Sequence, residues 1–228
     1  MTDRTEDMLG RVAMIAIFGA LSALQAYSIV QVIMAHANIA LWPLVLLSRV
    51  FGLVFQLLVV IYTIGRLPLK KNAAGLAPRI VAIAGTFLAM FLVVLPSSPI
   101  PPELKILAMV LTALGTAASA FCLSWLGRSF SIMASSRRLV VEGPYKLVRH
   151  PLYAAEGLTV LGILIANWSL AAGAVGLLWI ALQYQRAINE ENVLSESFPE
   201  YAAYAKAVPR FVPGFFFAFG GHLREGSR

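Results

Sequence analysis

Leu139-Val140-Val141-Glu142-Gly143-Pro144-Tyr145-Lys146-Leu147-Val148-Arg149-His150-Pro151-Leu152-Tyr153 is the stretch that decides how this chain is read. It lies between two strongly apolar segments, yet it holds Gly-Pro, a second Pro, Lys, Arg, His and two Tyr, which is too polar for a membrane span. Gly143-Pro144 and the pre-proline His150 both turn the backbone away from continuous helix. Pro151 suits the first position of a following helix, where its missing N–H costs nothing. The expectation is a bent connector at the membrane–water boundary whose side chains and exposed amides line something polar.

Working outward, the flanks are spans. Of 228 residues 59% are hydrophobic and 13% charged, with mean hydropathy +0.79. A soluble domain has roughly 45–50% apolar and 25% charged residues. About 20 apolar residues cross the roughly 30 Å hydrocarbon core. Val12 to Ala35, Pro43 to Gly65, Ile80 to Leu95 and Leu104 to Leu126 supply four such runs before the connector. After it, Leu152 to Ala166 and Ser169 to Ala187 form a helical hairpin broken at Asn167-Trp168-Ser169, the first arm short for a full crossing. Small residues at Ala113, Gly115, Ala117, Ala118 and Ala120 let another helix approach the fourth run closely. The fold class is an all-α integral membrane protein with about six membrane-embedded helical segments and a helical C-terminal site.

Loop charges support this count. Arg66, Lys70, Lys71 and Arg79 lie between the second and third runs, and Arg128, Arg137, Arg138, Lys146 and Arg149 between the fourth and fifth. The intervening loops carry almost no Lys or Arg. Under the positive-inside rule both basic loops, both termini and the connector face the cytoplasm. The net charge of +7 therefore speaks of anionic lipid headgroups, and no basic stretch interleaved with aromatics marks a nucleic-acid surface. A lone Cys122 excludes an intrachain disulfide and a cysteine metal cluster, and His36 and His222 stand without a second ligand at suitable spacing, so no metal is expected. Gln25, Gln31 and Gln56 are candidates for interhelical hydrogen bonds or part of a polar pocket, Arg49 for snorkelling to the external interface ahead of a functional intramembrane charge, and Phe215-Phe216-Phe217 with Phe219 for an interfacial anchor.

Past the hairpin come Arg186, Glu190, Glu191, Leu194, Phe198, Tyr201, Tyr204 and then Val208-Pro209-Arg210-Phe211-Val212-Pro213. Arg186 and Glu190 are four apart, so on a continuing helix they share a face, about 40° apart. The bland reading is a surface ion pair worth a few tenths of a kcal/mol. Against it, the hairpin returns both to the membrane face that holds Tyr145, His150 and Tyr153.

The composite of Leu139-Val140, Gly143-Pro144-Tyr145, Arg149-His150-Pro151-x-Tyr153, a hairpin, Glu190-Glu191-x-x-Leu194, Phe198, Tyr201, Tyr204 and Val208-Pro209-Arg210-Phe211-x-Pro213 resembles the isoprenylcysteine carboxyl methyltransferase family and its phospholipid methyltransferase relatives. The resemblance covers about the last 90 residues. It implies S-adenosylmethionine as cofactor, contacted by Leu139, Val140, Tyr145, His150, Pro151, Leu152, Tyr153 and Glu190. It associates Arg186 with substrate and makes Arg186 and Glu190 the catalytic pair. Residues 129–228 would then be the methyltransferase core and residues 1–128 a set of transmembrane helices facing substrate and lipid. Arg137 and Arg138 depart from the family's pattern before Leu139.

The residue chemistry agrees. A sulfonium, an ammonium, a carboxylate and adenine call for a carboxylate, aromatic faces and donors, which Glu190, Tyr145, Tyr153 and His150 offer. A carboxylate acceptor is already ionised at pH 7 and needs orientation rather than a base, which a bidentate Arg186 provides. The expected partner is a lipophilic or prenylated acceptor, with membrane lipids around it. Two alternatives stay open. A phosphatidylethanolamine amine would have to lose a proton, though Arg186 could bind its phosphate. Membrane sterol reductases share His-Pro-x-Tyr and use NADPH, but typically have Asn at x and Gly-Glu after the Tyr, where this chain has Leu152 and Ala154-Ala155-Glu156. Glu156 itself, near the start of a membrane helix, calls for an ion pair with Arg149 or a water-filled pocket.

Overall fold

A computed structural model describes residues 3–39 and 41–213. The anchor expected at Phe215-Phe216-Phe217 and Phe219, and His222, lie outside the described residues. Helix α1 (Asp3–Met34) is 32 residues long. At 1.5 Å per residue that is about 48 Å, longer than the bilayer core, so its first turns, with Glu6, Asp7 and Arg11, project beyond it. α2 (Trp42–Ile64) begins at Pro43 after Leu41, whose φ of 55° places it in the left-handed region. α4 (Pro102–Leu126) likewise starts at a proline. Among the described residues α1, α2 and α4 are the helices long and apolar enough to cross a membrane.

The third apolar run differs from the uniform helix expected. α3 (Ala77–Phe87) passes into a 3₁₀ segment, Leu88–Val93. The tighter coil rises about 2 Å per residue, so eleven α residues and six 3₁₀ residues reach about 28 Å, nearly the thickness of the hydrocarbon core. α5 (Pro151–Ala166) starts at Pro151 as expected and reaches about 24 Å. α6 (Leu170–Ser197) is capped by Ser169, whose side chain accepts from Ala172 N at 3.1 Å. It runs unbroken through Arg186, Glu190 and Glu191. A short α7 (Tyr201–Ala207) follows.

The small residues of α4 meet α5. A Cβ on Gly115 would strike Thr159, and one on Gly162 would strike Thr112 and the Ala108 carbonyl, so both helices need glycine to lie this close. Gln25 Nε2 donates to the Arg49 carbonyl at 2.9 Å, an α1–α2 bond of the kind expected of that glutamine, and the Arg49 side chain is exposed. Cys122 is buried in the main apolar cluster with Leu123, Val59 and Leu152.

The two basic loops meet. β1 (Lys71–Asn72) pairs antiparallel with β2 (Ser135–Ser136), Lys71 opposite Ser136. Flanking bonds Leu67 N to Arg128 O and Ala73 N to Ala134 O, both 2.9 Å, extend the zipper. Loops expected on one side of the membrane are thus bonded to each other, and the connector starts from this ribbon.

Candidate functional site

The connector is bent as its prolines demand. Gly143 has φ of +56°, and a Cβ there would run into the Trp125 indole, so glycine is required for both backbone and space. Gly143–Lys146 forms one 3₁₀ turn, and His150, at φ −125° and ψ 59°, then hands the chain to α5. The C-terminal segment closes over this bend. Arg149 N donates to Pro209 O at 2.8 Å, His150 N to Arg210 O at 3.0 Å, and Tyr204 Oη to Tyr145 O at 2.7 Å.

Glu191 ties these pieces to α6. Its Oε1 accepts from His150 Nε2 at 2.9 Å and Arg210 Nε at 2.8 Å; its Oε2 accepts from Arg149 Nη1 at 2.8 Å and Arg210 Nη2 at 2.9 Å. Arg210 is therefore bidentate, and four charge-assisted bonds converge on one carboxylate. Burial alone would push this carboxyl up, but the hydrogen bonds from His150 and Arg210 and the nearby cationic charge outweigh it and hold it at about 2. Sequence reasoning missed this role. The acidic doublet with Arg149 and Arg210 was visible, but which carboxylate faces them is set by rotation of the helix. Arg149 pairs with Glu191 rather than with Glu156, the partner considered from sequence.

Glu190 points the other way. It is 24% exposed on its side chain and accepts from Tyr153 Oη. The Tyr153 ring stacks on His150, centroids 5.4 Å apart and 3° from parallel. On the Tyr153 ring sits the guanidinium of Arg186, Cζ 4.7 Å from the centroid. Arg186 is 5% exposed; Nη1 donates to Gln183 Oε1 at 2.8 Å, and Gln183 Nε2 donates to Glu156 at 2.8 Å.

Two cavities meet at this stack. The first, a polar slot, is lined by Leu139, Val140, Tyr145, His150, Leu152, Tyr153 and Glu190 among others, so seven of the eight sequence-derived cofactor residues converge there. Pro151 is buried and lines neither cavity. Arg186 does not line the slot. It lines the second, inner cavity, of about 260 Å³, with Glu156, Gln56, Thr86, Thr116, Ser119 and Thr159 set among apolar residues such as Phe18, Phe55, Phe87, Ile163 and Trp179; Gln56 Oε1 is buried without a partner among the described residues. Arg186 and Glu190, on one helix face, thus look into adjoining spaces with Tyr153 between them.

The slot's residues fit S-adenosylmethionine in chemical type. Among the described residues, Ser129 Oγ, Ser135 Oγ and Tyr145 Oη are buried on its wall without a hydrogen-bond partner, and such groups are costly unless a ligand satisfies them. Burial holds the phenols of Tyr201 and Tyr204, also on the wall, up at about 12, so both are neutral donors. Glu190 adds the acceptor. The slot measures about 90 Å³, below the roughly 300–1,000 Å³ of ligand pockets, so a nucleotide-sized ligand must displace part of the wall. Among the described residues no three His, Cys, Asp or Glu side chains come together as metal ligands.

Residues 104–201 match the family model described as phospholipid methyltransferase. The cobalt-zinc-cadmium resistance protein CzcN of Cupriavidus metallidurans is 38% identical over 116 residues, 50% of this chain and 51% of that protein. The nickel-cobalt-cadmium resistance protein NccN of Alcaligenes xylosoxydans xylosoxydans is 38% identical over 79 residues, 34% of this chain and 37% of that protein. The chain thus spans about half or less of the length of these curated relatives. The matched region runs from α4 through the connector and the hairpin to the start of α7, which carry most of the slot's lining, so this part of the chain is similar to the phospholipid methyltransferase family.

Proposed function

We propose that this membrane methyltransferase uses S-adenosylmethionine to esterify the carboxylate of a lipophilic acceptor such as an isoprenylated cysteine, on the cytoplasmic side of a multi-pass bundle. The observation that carries the reading is the state of Arg186. Its Nε has no partner among the described residues, and its Nη2 has only a 3.5 Å contact to Ile132 O. That edge is the fork a carboxylate takes bidentately. Arg186 lines a mostly apolar cavity suited to a hydrocarbon chain, and Tyr153, whose ring its guanidinium covers, lines the slot.

When bound, the cofactor supplies a sulfonium methyl group. Glu190 and the unpartnered hydroxyls of Tyr145, Ser129 and Ser135 would hold it, beside the His150–Tyr153 stack. Arg186 fixes the acceptor carboxylate, already ionised, so positioning at about 3–3.5 Å supplies most of the rate. Gln183 keeps the guanidinium turned toward the cavity, and the apolar wall excludes water.

One observation favours a second reading, N-methylation of a phospholipid amine. Glu156 shares the inner cavity with Arg186, so a carboxylate could take the ammonium proton while the guanidinium holds the phosphate. The test is incubation of detergent-solubilised protein with methyl-tritiated S-adenosylmethionine and either N-acetyl-S-farnesylcysteine or phosphatidylethanolamine. Label released as methanol by mild alkali establishes the ester; alkali-stable label on phosphatidylethanolamine alone establishes the amine. Calorimetric binding of NADPH without binding of S-adenosylhomocysteine would overturn both.

A further inference from the structure

A third cavity, about 380 Å³, plays no part in that chemistry. It opens between the N-terminal half of α1 and α3, against the Ser131–Ala134 segment that leads into β2, with an apolar wall of Ala13, Met14, Ile17, Phe18, Ile83 and Phe87. Ile17 and Ile83 are 42% and 48% exposed, so the wall continues outward toward the bilayer.

Its polar end carries more cation than anion. Arg79 Nη2 is 2.7 Å from Glu6. Asp7 Oδ1 is shared by Arg137 and, at 3.3 Å, by Arg66, and Arg11 donates to the Arg66 carbonyl at 3.3 Å. Among the described residues Arg66 and Arg79 stand with Glu6 and Asp7 on the cavity wall, and Arg11 and Arg137, bonded to this cluster without lining the cavity, bring it to four arginines against two carboxylates. Arg66, 6% exposed and on the cavity wall, is the least satisfied. Its Nη1 reaches an oxygen that Arg137 already holds more closely; its Nη2 rests on the Met14 thioether at 2.8 Å; its Nε has no partner among the described residues. A thioether is a weak acceptor, and a buried guanidinium left on one is costly. The Nε atoms of Arg11 and Arg137 are also buried without partners. Burial first, and then the charge of Arg137, lower Arg66 from its usual value to about 10.

We propose that this outer cavity is a binding site for one anionic phospholipid, its phosphate taken by Nε and Nη2 of Arg66 in place of the Met14 sulfur and an acyl chain lying along the α1–α3 wall. The excess of arginine over carboxylate selects a headgroup of net negative charge over a zwitterion. The apolar wall, open toward the bilayer, selects a lipid over a free anion. The site goes beyond the proposed reaction and does not depend on which acceptor is methylated.

The test is native mass spectrometry and thermal unfolding of the delipidated protein with phosphatidylglycerol, phosphatidylcholine or inorganic phosphate. Phosphatidylglycerol is expected to give a one-lipid adduct and raise Tm by several degrees; phosphatidylcholine and phosphate are expected to do neither. Arg66→Gln should weaken phosphatidylglycerol retention at least tenfold. Ile83→Trp, which fills the cavity from an exposed position and leaves every arginine in place, should do the same with helix content unchanged by circular dichroism. If Arg66→Gln fails to fold, Ile83→Trp decides alone. Equal retention of phosphatidylcholine, a full Tm rise with phosphate, or undiminished retention in Ile83→Trp would each overturn the proposal.

Discussion

Glu190 and Glu191 are neighbours on α6 and serve opposite regions. Glu191 sits in a closed knot, its two oxygens filled by His150, Arg149 and a bidentate Arg210, and the knot binds connector, α6 and the C-terminal segment into one body. Glu190 sits in an open junction where, among the described residues, it accepts a hydrogen bond from Tyr153, has His150 Nδ1 at 3.9 Å, and lines a slot with unpartnered hydroxyls. A knot whose valences are filled holds shape; a junction whose valences are spare has acceptors left to offer a ligand. The difference follows from about 100° of helix rotation between adjacent residues.

The comparison breaks most readily at Glu191. Glu191→Ala leaves Arg149, His150 and Arg210 gathered without their anion, a change that costs about 3–5 kcal/mol in buried settings. Thermal unfolding in detergent should show that loss, whereas Glu190→Ala should change stability by less than about 1 kcal/mol. Equal destabilisation by the two variants would erase the distinction between knot and junction.

The converse effect is read by binding. Glu190→Ala should weaken S-adenosylhomocysteine at least tenfold, about 1.4 kcal/mol, by isothermal titration while Tm holds. Tyr153→Phe, which keeps the stack on His150 and removes only the hydroxyl, should weaken it less than Glu190→Ala does. Intact binding in Glu190→Ala would remove the slot from the cofactor and with it the proposed chemistry.

Much of this was legible beforehand because it is local. Gly143-Pro144 and His150-Pro151 state their own backbone geometry, and the spacing of Arg186 and Glu190 fixes their relation on any helix. What was not legible is tertiary. Nothing in Arg149 says that its carboxylate is Glu191, 42 positions away, rather than the nearer Glu156. Leu88–Val93 is as apolar as an α-helical span, so composition could not reveal its 3₁₀ winding. The division into cavities was equally hidden, since Phe130–Ala134, an undistinguished stretch in sequence, supplies walls to all three.

Acid should act on the knot before the junction loses its helix. A carboxyl held at about 2 in the folded protein and near 4.3 when unfolded contributes stability that is complete above the unfolded value and is lost as pH falls toward the folded one. Tm should therefore decline between about pH 4.5 and 2 in the wild type. Glu191→Gln, starting lower, should show a shallower decline over that window. Parallel slopes would mean that other carboxylates carry the acid sensitivity.

The smallest expected effect is also the one that locates the border between the two regions. Tyr204 Oη donates to Tyr145 O at 2.7 Å, so a residue of the C-terminal segment that the knot holds steadies the backbone beneath a slot side chain. Tyr204→Phe removes one neutral hydrogen bond and leaves the ring contact with Tyr201, centroids 5.9 Å apart, in place. About 1 kcal/mol of stability should be lost. If the bond serves only the knot, S-adenosylhomocysteine affinity stays at the wild-type value. If it also positions Tyr145 for ligand, affinity falls by several-fold alongside Tm, because a shift of the Tyr145 carbonyl carries its unpartnered hydroxyl with it. The second result is expected, since Tyr145 is buried at 5% exposure and has no slack to absorb the shift by side-chain rotation.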